Sequence, residues 1–193
     1  MSRIVIDGNI GSGKSTLLDV LKTVYTVYTE DIEAWGDWLP CYYKNQKKYA
    51  FGFQLSVLLS HLKQQNSPIK DKITIFERST YSCNAIFGQL LVKDGLMSEL
   101  EYSLCTEYSE AFDNPIKYTI YLQCMPSICY SRICERSRDC ETSIPYSYIE
   151  KLHAQYEEVY RDSKKIFKID ANKPADQVYS QVLSTLDYIS ELC

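Results

Sequence analysis

The octet Gly8-Asn9-Ile10-Gly11-Ser12-Gly13-Lys14-Ser15 constrains this chain more than any other stretch, because it follows the apolar run Arg3 to Asp7 and opens the helical pattern Lys14 to Thr23. G-x-x-x-x-G-K-[ST] between a strand and a helix is the context of a phosphate-binding loop. Glycines let successive backbone N–H groups converge on a β-phosphate, and the helix N-terminus adds its positive end. Lys14 would reach the β/γ oxygens and the Ser15 hydroxyl could ligate Mg²⁺, with Gly8 to Gly13 and Thr16 completing the cradle. The bland alternative, a Gly-rich turn that binds nothing, is disfavoured by that strand-to-helix setting.

The rest of the chain repeats the same alternation. Short β-branched or aromatic runs at Arg3 to Asp7, Tyr25 to Glu30, Ile73 to Glu77, Lys117 to Gln123 and Ile166 to Asp170 are each followed by helical periodicity. That order predicts an α/β fold with a five-stranded parallel sheet flanked by helices. Helices are expected over Lys14 to Thr23, Lys47 to Gln65, Tyr81 to Val92, Ser98 to Phe112, Pro126 to Glu135, Pro145 to Asp162 and Ala175 to Glu191. Ser98 with Glu101 reads as a capping box, flanked by Met97 and Tyr102 as a hydrophobic staple. With 193 residues, 45% hydrophobic and 24% charged, one domain spanning 1–193 is expected, and a disordered chain is excluded.

Charge and cysteine usage narrow the partners. A net charge of −4 provides no global basic field for nucleic acid, so phosphate chemistry must come from local clusters. Eight Cys without a C-x-x-C pair, and only two His, show neither zinc spacing nor a disulfide framework. Met1 to Asp7 is too short for a signal peptide, and no apolar stretch spans a bilayer; the expectation is a soluble, unsecreted protein with reduced thiols, in the cytoplasm.

In a parallel sheet, ligands gather at the carboxyl ends of strands. Glu30, Glu77-Arg78 and Asp170 close three of the runs. Glu30 could take a proton from an attacking hydroxyl, against the alternative of a solvated strand-end acid. Arg78 could orient an acceptor and Glu77 could hold Mg²⁺ through water, against the alternative of a structural ion pair. Arg132, Arg136 and Arg138, interleaved with acids, could close on a transferring phosphate or form a solvated helix end. Asn172-Lys173-Pro174-Ala175-Asp176 is not the guanine-reading N-K-x-D, since its Asp comes one residue late.

These residues resemble the deoxynucleoside kinases, the group with deoxycytidine, deoxyguanosine and mitochondrial thymidine kinases. The likeness runs almost end to end: Ile6 to Ser15, Glu30 with Trp35, Tyr43-Lys44, Phe53-Gln54, Glu77-Arg78-Ser79 with Phe87, Tyr121-Leu122-Gln123, Pro126, Cys129, Arg132-Ile133, Arg136, Arg138, Glu141, Ile144-Pro145 and Leu152-His153. It implies a P-loop kinase fold with an Arg-rich lid near 136–143, which transfers phosphate from ATP, with Mg²⁺, to the 5′-hydroxyl of a deoxynucleoside in nucleotide salvage. Glu30 resembles the general base and Arg78 the residue that steadies it. Gln54 is similar to the base-reading glutamine, with Trp35 and Phe87 packing on the base. Tyr43 and Glu141 resemble the pair on the sugar 3′-hydroxyl, and Arg132, Arg136 and Arg138 resemble lid arginines. The resemblance also implies a homodimer through helices near 81–112. Asp31 and Gly52 depart from its common residues, and the short chain resembles the compact members of large DNA viruses, which work in the host cytoplasm.

Gln54, Val57 and His61 share one helix face, and Cys83 follows one turn into the next helix. All four are expected to line a base pocket without the Arg and Asp found in purine- and deoxycytidine-accepting relatives, which favours thymidine. A buried, satisfied His61 is the alternative. Two rivals stay open: a nucleoside monophosphate kinase such as thymidylate kinase, and a P-loop switch or binding module.

Overall fold

The structure, a computed structural model, describes residues 1–69, 71–112, 114–136 and 144–192. The chain divides into two compact units, one formed by Met1–Thr29, Ile69–Glu77 and Ile116–Cys193, the other by Glu30–Pro68 and Arg78–Pro115.

The first unit is built on a parallel five-stranded sheet: β1 (Ser2–Gly8), β2 (Thr26–Tyr28), β3 (Ile73–Glu77), β4 (Tyr118–Gln123) and β5 (Ile166–Asp170), in the spatial order β2-β3-β1-β4-β5. Strand β1 lies at the centre, with Ile4 opposite Ile75 on one side and Tyr118 on the other. A strand covered on both faces has no polar side to present, which is why Ile4, Val5 and Ile6 are all wholly buried. The helices α1 (Lys14–Leu21), α7 (Pro126–Arg136), α8 (Tyr146–Val159) and α9 (Ala175–Glu191) belong to this unit. Leu17, Leu18, Leu21, Ile149, Val178, Val182 and Leu186 pack with Ile4, Ile6, Ile75 and Ile120 in one core.

The second unit is helical: α2 (Trp38–Lys44), α3 (Gln46–Gln65), α4 (Thr80–Ser82), a π-helical stretch Cys83–Gly88, α5 (Gln89–Lys93) and α6 (Glu99–Phe112). Among the described residues, apolar side chains of this unit gather around Tyr42, Ala50, Leu91 and Met97, and around Leu58, Leu62, Cys83 and Cys105. Asn45 starts α3 by accepting the Lys48 N–H at 3.2 Å. At Gly52 a Cβ would lie 2.2 Å from the Trp38 ring, so that partly exposed ring would have to shift to admit one.

Local differences from the sequence expectation have physical causes. Strand β2 is only three residues long, so Glu30 stands beyond its end. The segment expected as one α-helix over 81–92 is interrupted by the π-helical stretch, and α2 with a 3₁₀ turn at Glu33–Trp35 had no clear periodic signal. The capping box is present: Ser98 N–H and Oγ reach Glu101 Oε2 at 2.8 and 2.7 Å, and Glu101 N–H returns to Ser98 Oγ at 3.2 Å. Met97 is buried and Tyr102 packs on the same cluster.

The backbone N–H and hydroxyl of Ser98 hold the Glu101 carboxyl below its ordinary value. A carboxylate whose value is lowered on folding stabilises above its unfolded value of about 4.3 and ceases to do so as pH falls. Ser98→Ala removes the hydroxyl that caps the Glu101 N–H and should cost about 1 kcal/mol at neutral pH, with only a small share from the solvent-screened carboxylate. Urea unfolding should show that difference shrinking as pH drops through the carboxylate range.

Candidate active site

Strand β1 ends in a loop whose shape only glycine tolerates at two points. Gly11 and Gly13 have φ of 78° and 99°, in the left-handed region. A Cβ on Gly11 would meet the Cys129 carbonyl oxygen at 2.3 Å. Lys14, buried, donates from Nζ to the Gly8 and Asn9 carbonyls at 2.9 Å each. Asn9 accepts the Ile10 N–H at 2.8 Å and donates to the Ile149 carbonyl at 2.9 Å. The Ser12 hydroxyl is buried with no hydrogen-bond partner among the described residues. Such a group costs free energy unless something accepts or donates to it, and an anion's oxygen would.

Ser15 Oγ donates to Glu77 Oε1 at 3.3 Å, bringing a hydroxyl and a carboxylate together at the end of β3. A hydroxyl and a single carboxylate suit Mg²⁺, which takes few protein ligands and fills its shell with phosphate oxygens and water. Arg132 is anchored at this loop: its guanidinium donates to the Ser12 carbonyl at 3.3 Å and the Ala171 carbonyl at 3.2 Å. Arg136 is the last residue of α7, Ile10 is half-buried and Thr16 is exposed. Arg138 and Glu141, with most of the segment expected as a lid, lie outside the described residues.

The second unit carries a separate polar cluster. Arg78 donates to Glu30 Oε2 at 2.5 Å, and the two side chains are only 8% and 13% exposed. His61 Nε2 stands 3.7 Å from the other oxygen of Glu30. Arg78 has φ of 60°, a left-handed conformation that costs a non-glycine residue of order 1 kcal/mol and persists where surrounding structure enforces it. Its guanidinium lies over the Phe87 ring, 5.0 Å from the centroid. Such a guanidinium favours the ionised carboxylate, the form able to accept a proton.

Gln54 donates from Nε2 to the Cys83 carbonyl at 2.8 Å, with Cys83 Sγ at 3.3 Å and Asn84 Oδ1 at 3.4 Å. The carbonyl and the Asn84 oxygen are both acceptors, which orients the Gln54 amide with its nitrogen towards them. Burial pushes the Cys83 thiol up, with Glu30 adding to the effect, so Cys83 acts as a small neutral side chain. Val57 packs on the Leu58 and Cys83 cluster. Trp35 meets Phe53 edge-on at 5.7 Å, and its buried Nε1–H has no hydrogen-bond partner among the described residues. Tyr42 stacks on Phe53 at 4.9 Å, burial pushing its hydroxyl up to about 12. Tyr43, beside Tyr42, is 40% exposed.

Of the residues singled out in the sequence, the structure therefore joins Glu30, Arg78, His61 and Phe87 in one cluster, Gln54 and Cys83 in another, and Ser15 and Glu77 in a third. Sequence reasoning missed Asn84, whose Oδ1 faces Gln54 and whose Nδ2 reaches the Cys105 carbonyl at 3.3 Å. It also missed the part of Asp7, which accepts the Gly8 N–H at 2.7 Å. The signal for Asp7 was its place directly before the loop.

Gly11→Ala should weaken binding of a nucleoside triphosphate at least ~10-fold, because the left-handed φ and the Cys129 carbonyl leave a Cβ nowhere to go. Calorimetric titration beside the wild-type protein measures this; equal affinities would contradict it.

Comparison with known proteins shows which family the sequence matches. The profile of the family described as deoxynucleoside kinase matches residues 4–190. A putative kinase protein of Invertebrate iridescent virus 3 is 37% identical over 192 residues, covering 98% of this chain and 97% of that one. A probable deoxycytidine kinase of Fowlpox virus (strain NVSL) is 32% identical, covering 98% of this chain and 89% of its own length. Mitochondrial thymidine kinase 2 of Macaca fascicularis is 31% identical over 168 residues, 81% of this chain and 63% of the kinase.

Proposed function

This chain belongs to the deoxynucleoside kinase family, and from that premise we propose that it transfers the γ-phosphoryl group of ATP to the 5′-hydroxyl of a pyrimidine 2′-deoxynucleoside, thymidine before others, in nucleotide salvage. The observation that carries this reading is the pairing of Glu30 with Arg78 at 2.5 Å, beside an aromatic ring and on a strained backbone. A kinase of an alcohol needs a base for the hydroxyl proton and donors for the triphosphate, with positioning and electrostatics supplying most of the rate.

Glu30 accepts the proton of the 5′-hydroxyl as the oxygen attacks, and Arg78 holds the carboxylate in place and steadies the hydroxyl. Backbone N–H groups of the loop from Gly8 to Thr16 receive the β-phosphate, the N-terminus of α1 adds its dipole, and Lys14 moves its donors to the β/γ oxygens. Ser15 and Glu77 would hold Mg²⁺, which when bound neutralises charge on those oxygens. Arg132, Arg136 and Arg138 serve as cations for the charge that spreads over the transferring group. Tyr43 and Glu141 hold the sugar 3′-hydroxyl; for Glu141, as for Arg138, the family resemblance is the support.

The orientation of Gln54 suits a base that donates to it, and the pyrimidine preference rests on the missing charged pair at His61 and Cys83. With Nε2 held by the Cys83 carbonyl, its Oε1 is left as an acceptor for the N3–H of thymine. Trp35, Val57, Phe87 and the small Cys83 would wall the base, and His61, which stands by Glu30, is read as a further lining residue. Deoxycytidine, which offers an amino N–H, is the competing substrate, in keeping with the name of the Fowlpox relative.

A homodimer through the second unit is supported by apolar side chains on α6 and α4: Leu100, Leu104, Phe112 and Tyr81 are 81%, 52%, 57% and 57% exposed. Among the described residues no helix is long and apolar enough to cross a membrane. The viral relatives favour action in a host cytoplasm.

Glu30→Gln should lower kcat by roughly 10²- to 10⁴-fold while the deoxynucleoside Kd stays within about twofold. A variant keeping a third of the wild-type kcat removes Glu30 from the base role. Comparing the four natural deoxynucleosides under identical ATP and Mg²⁺ should place thymidine ahead of deoxyguanosine by at least ~10-fold in kcat/KM. A purine preference would overturn the assignment.

A further inference from the structure

Asp7 is wholly buried, one residue before Gly8, and among the described residues the Gly8 N–H and two tyrosine hydroxyls converge on its carboxylate. The Gly8 N–H and the Tyr156 hydroxyl both reach Oδ1 at 2.7 Å, and the Tyr160 hydroxyl reaches Oδ2 at 2.7 Å. Tyr156 lies on α8 and Tyr160 caps its end. The same helix accepts the Asn9 side chain through the Ile149 carbonyl, so it grips the loop on both sides of Gly8.

The chemistry of these bonds gives them a direction. A carboxylate that accepts the N–H of the next residue sets the tilt of the intervening peptide, because an oxygen prefers its donor near the carboxylate plane. Two hydroxyls on its two oxygens fix that plane. The tyrosine rings cannot swing away, since Tyr121 of β4 stacks on Tyr156 at 5.4 Å and meets Tyr160 edge-on at 5.2 Å. Tyr121 itself turns its hydroxyl elsewhere, to Glu157 at 2.9 Å.

We propose that Tyr156 and Tyr160 are positioning residues of the phosphate loop: their hydroxyls orient Asp7, Asp7 orients the Gly8 peptide, and α8 thereby sets the affinity for the triphosphate donor. This rests on the reading of the loop as the ATP site. The loop must present N–H groups outward, so its entry angle has to be imposed by neighbours: Lys14 takes the carbonyl of the first of its glycines, and Asp7 takes that glycine's N–H. Removing a hydroxyl leaves the ring, the packing and the acceptor site of the deoxynucleoside untouched.

The test compares Tyr156→Phe, Tyr160→Phe and Tyr121→Phe with the wild-type enzyme. The first two should raise KM for ATP by about 5- to 20-fold, as expected for a lost buried hydrogen bond, with kcat within about threefold and the deoxynucleoside Kd unchanged. Tyr121→Phe loses a hydroxyl bond from the same aromatic cluster but none to Asp7, so it should lower thermal stability and leave KM for ATP as it was. Asp7→Asn keeps the shape and one acceptor oxygen; it should show the same KM shift, serves if a Phe variant does not fold, and combined with Tyr156→Phe should add less than twofold, since both act through one group. KM values for ATP within twofold of wild type in both Tyr156→Phe and Tyr160→Phe overturn the proposal, as does an equal rise in Tyr121→Phe. Calorimetric binding of a non-hydrolysable ATP analogue to the same proteins reads the loop without turnover. Absent phosphorylation by wild-type enzyme that still binds the analogue would count against the kinase reading alone.

Discussion

A loop that offers its backbone N–H groups to an anion cannot satisfy them within itself, so it must be held from outside. That constraint organises the sheet unit. Its central strand is apolar on both faces and leads into the loop, which is then fixed by side chains rather than by regular hydrogen bonding: Asp7 takes the Gly8 N–H, Asn9 bonds to α8, Lys14 bonds back to the loop carbonyls, and Arg132 reaches the Ser12 carbonyl. The close approach of Gly11 to the Cys129 carbonyl leaves no room for a side chain. The positive φ values of Gly11 and Gly13 are the backbone cost of pointing donors one way.

The helical unit solves a different problem, the burial of a carboxylate and its guanidinium partner away from water. Glu30 and Arg78 are both largely out of water, and such a pair gives little net stability because desolvation opposes its attraction. Removing one partner, by contrast, would leave a buried charge. The left-handed Arg78 adds strain to that balance. A short charged contact on a strained backbone is not where a fold gains stability, and that concentration is the ground on which the base role of Glu30 is proposed.

The fold and the phosphate loop were legible in the sequence because both depend on short-range patterns. The β-branched runs and the helical periods between them describe the sheet, and the Ser98–Glu101 capping box is a four-residue signal. Features that depend on distant partners were not legible. Tyr156 and Tyr160 lie 149 and 153 residues from Asp7 in sequence. The spacing of Gln54, Val57 and His61 places them on one helix face, yet it does not tell that His61 comes within 3.7 Å of Glu30 or that Asn84 and the Cys83 carbonyl fix the Gln54 amide. The π-helical stretch at Cys83–Gly88 and the φ of Arg78 arise from packing, which no local pattern encodes. Asp31 is now explained: its carboxylate accepts the Ala34 N–H at 3.1 Å and starts the turn that carries Trp35.

The central claim is that the carboxylate held by Arg78 receives the proton of the acceptor hydroxyl. A crystal structure of the protein with thymidine and a non-hydrolysable ATP analogue tests it most directly. The account predicts the 5′-oxygen within hydrogen-bond reach of Glu30, about 2.6–3.2 Å, with Arg78 still on the carboxylate. A 5′-hydroxyl bonded to another group, with Glu30 more than about 4 Å away, would contradict it.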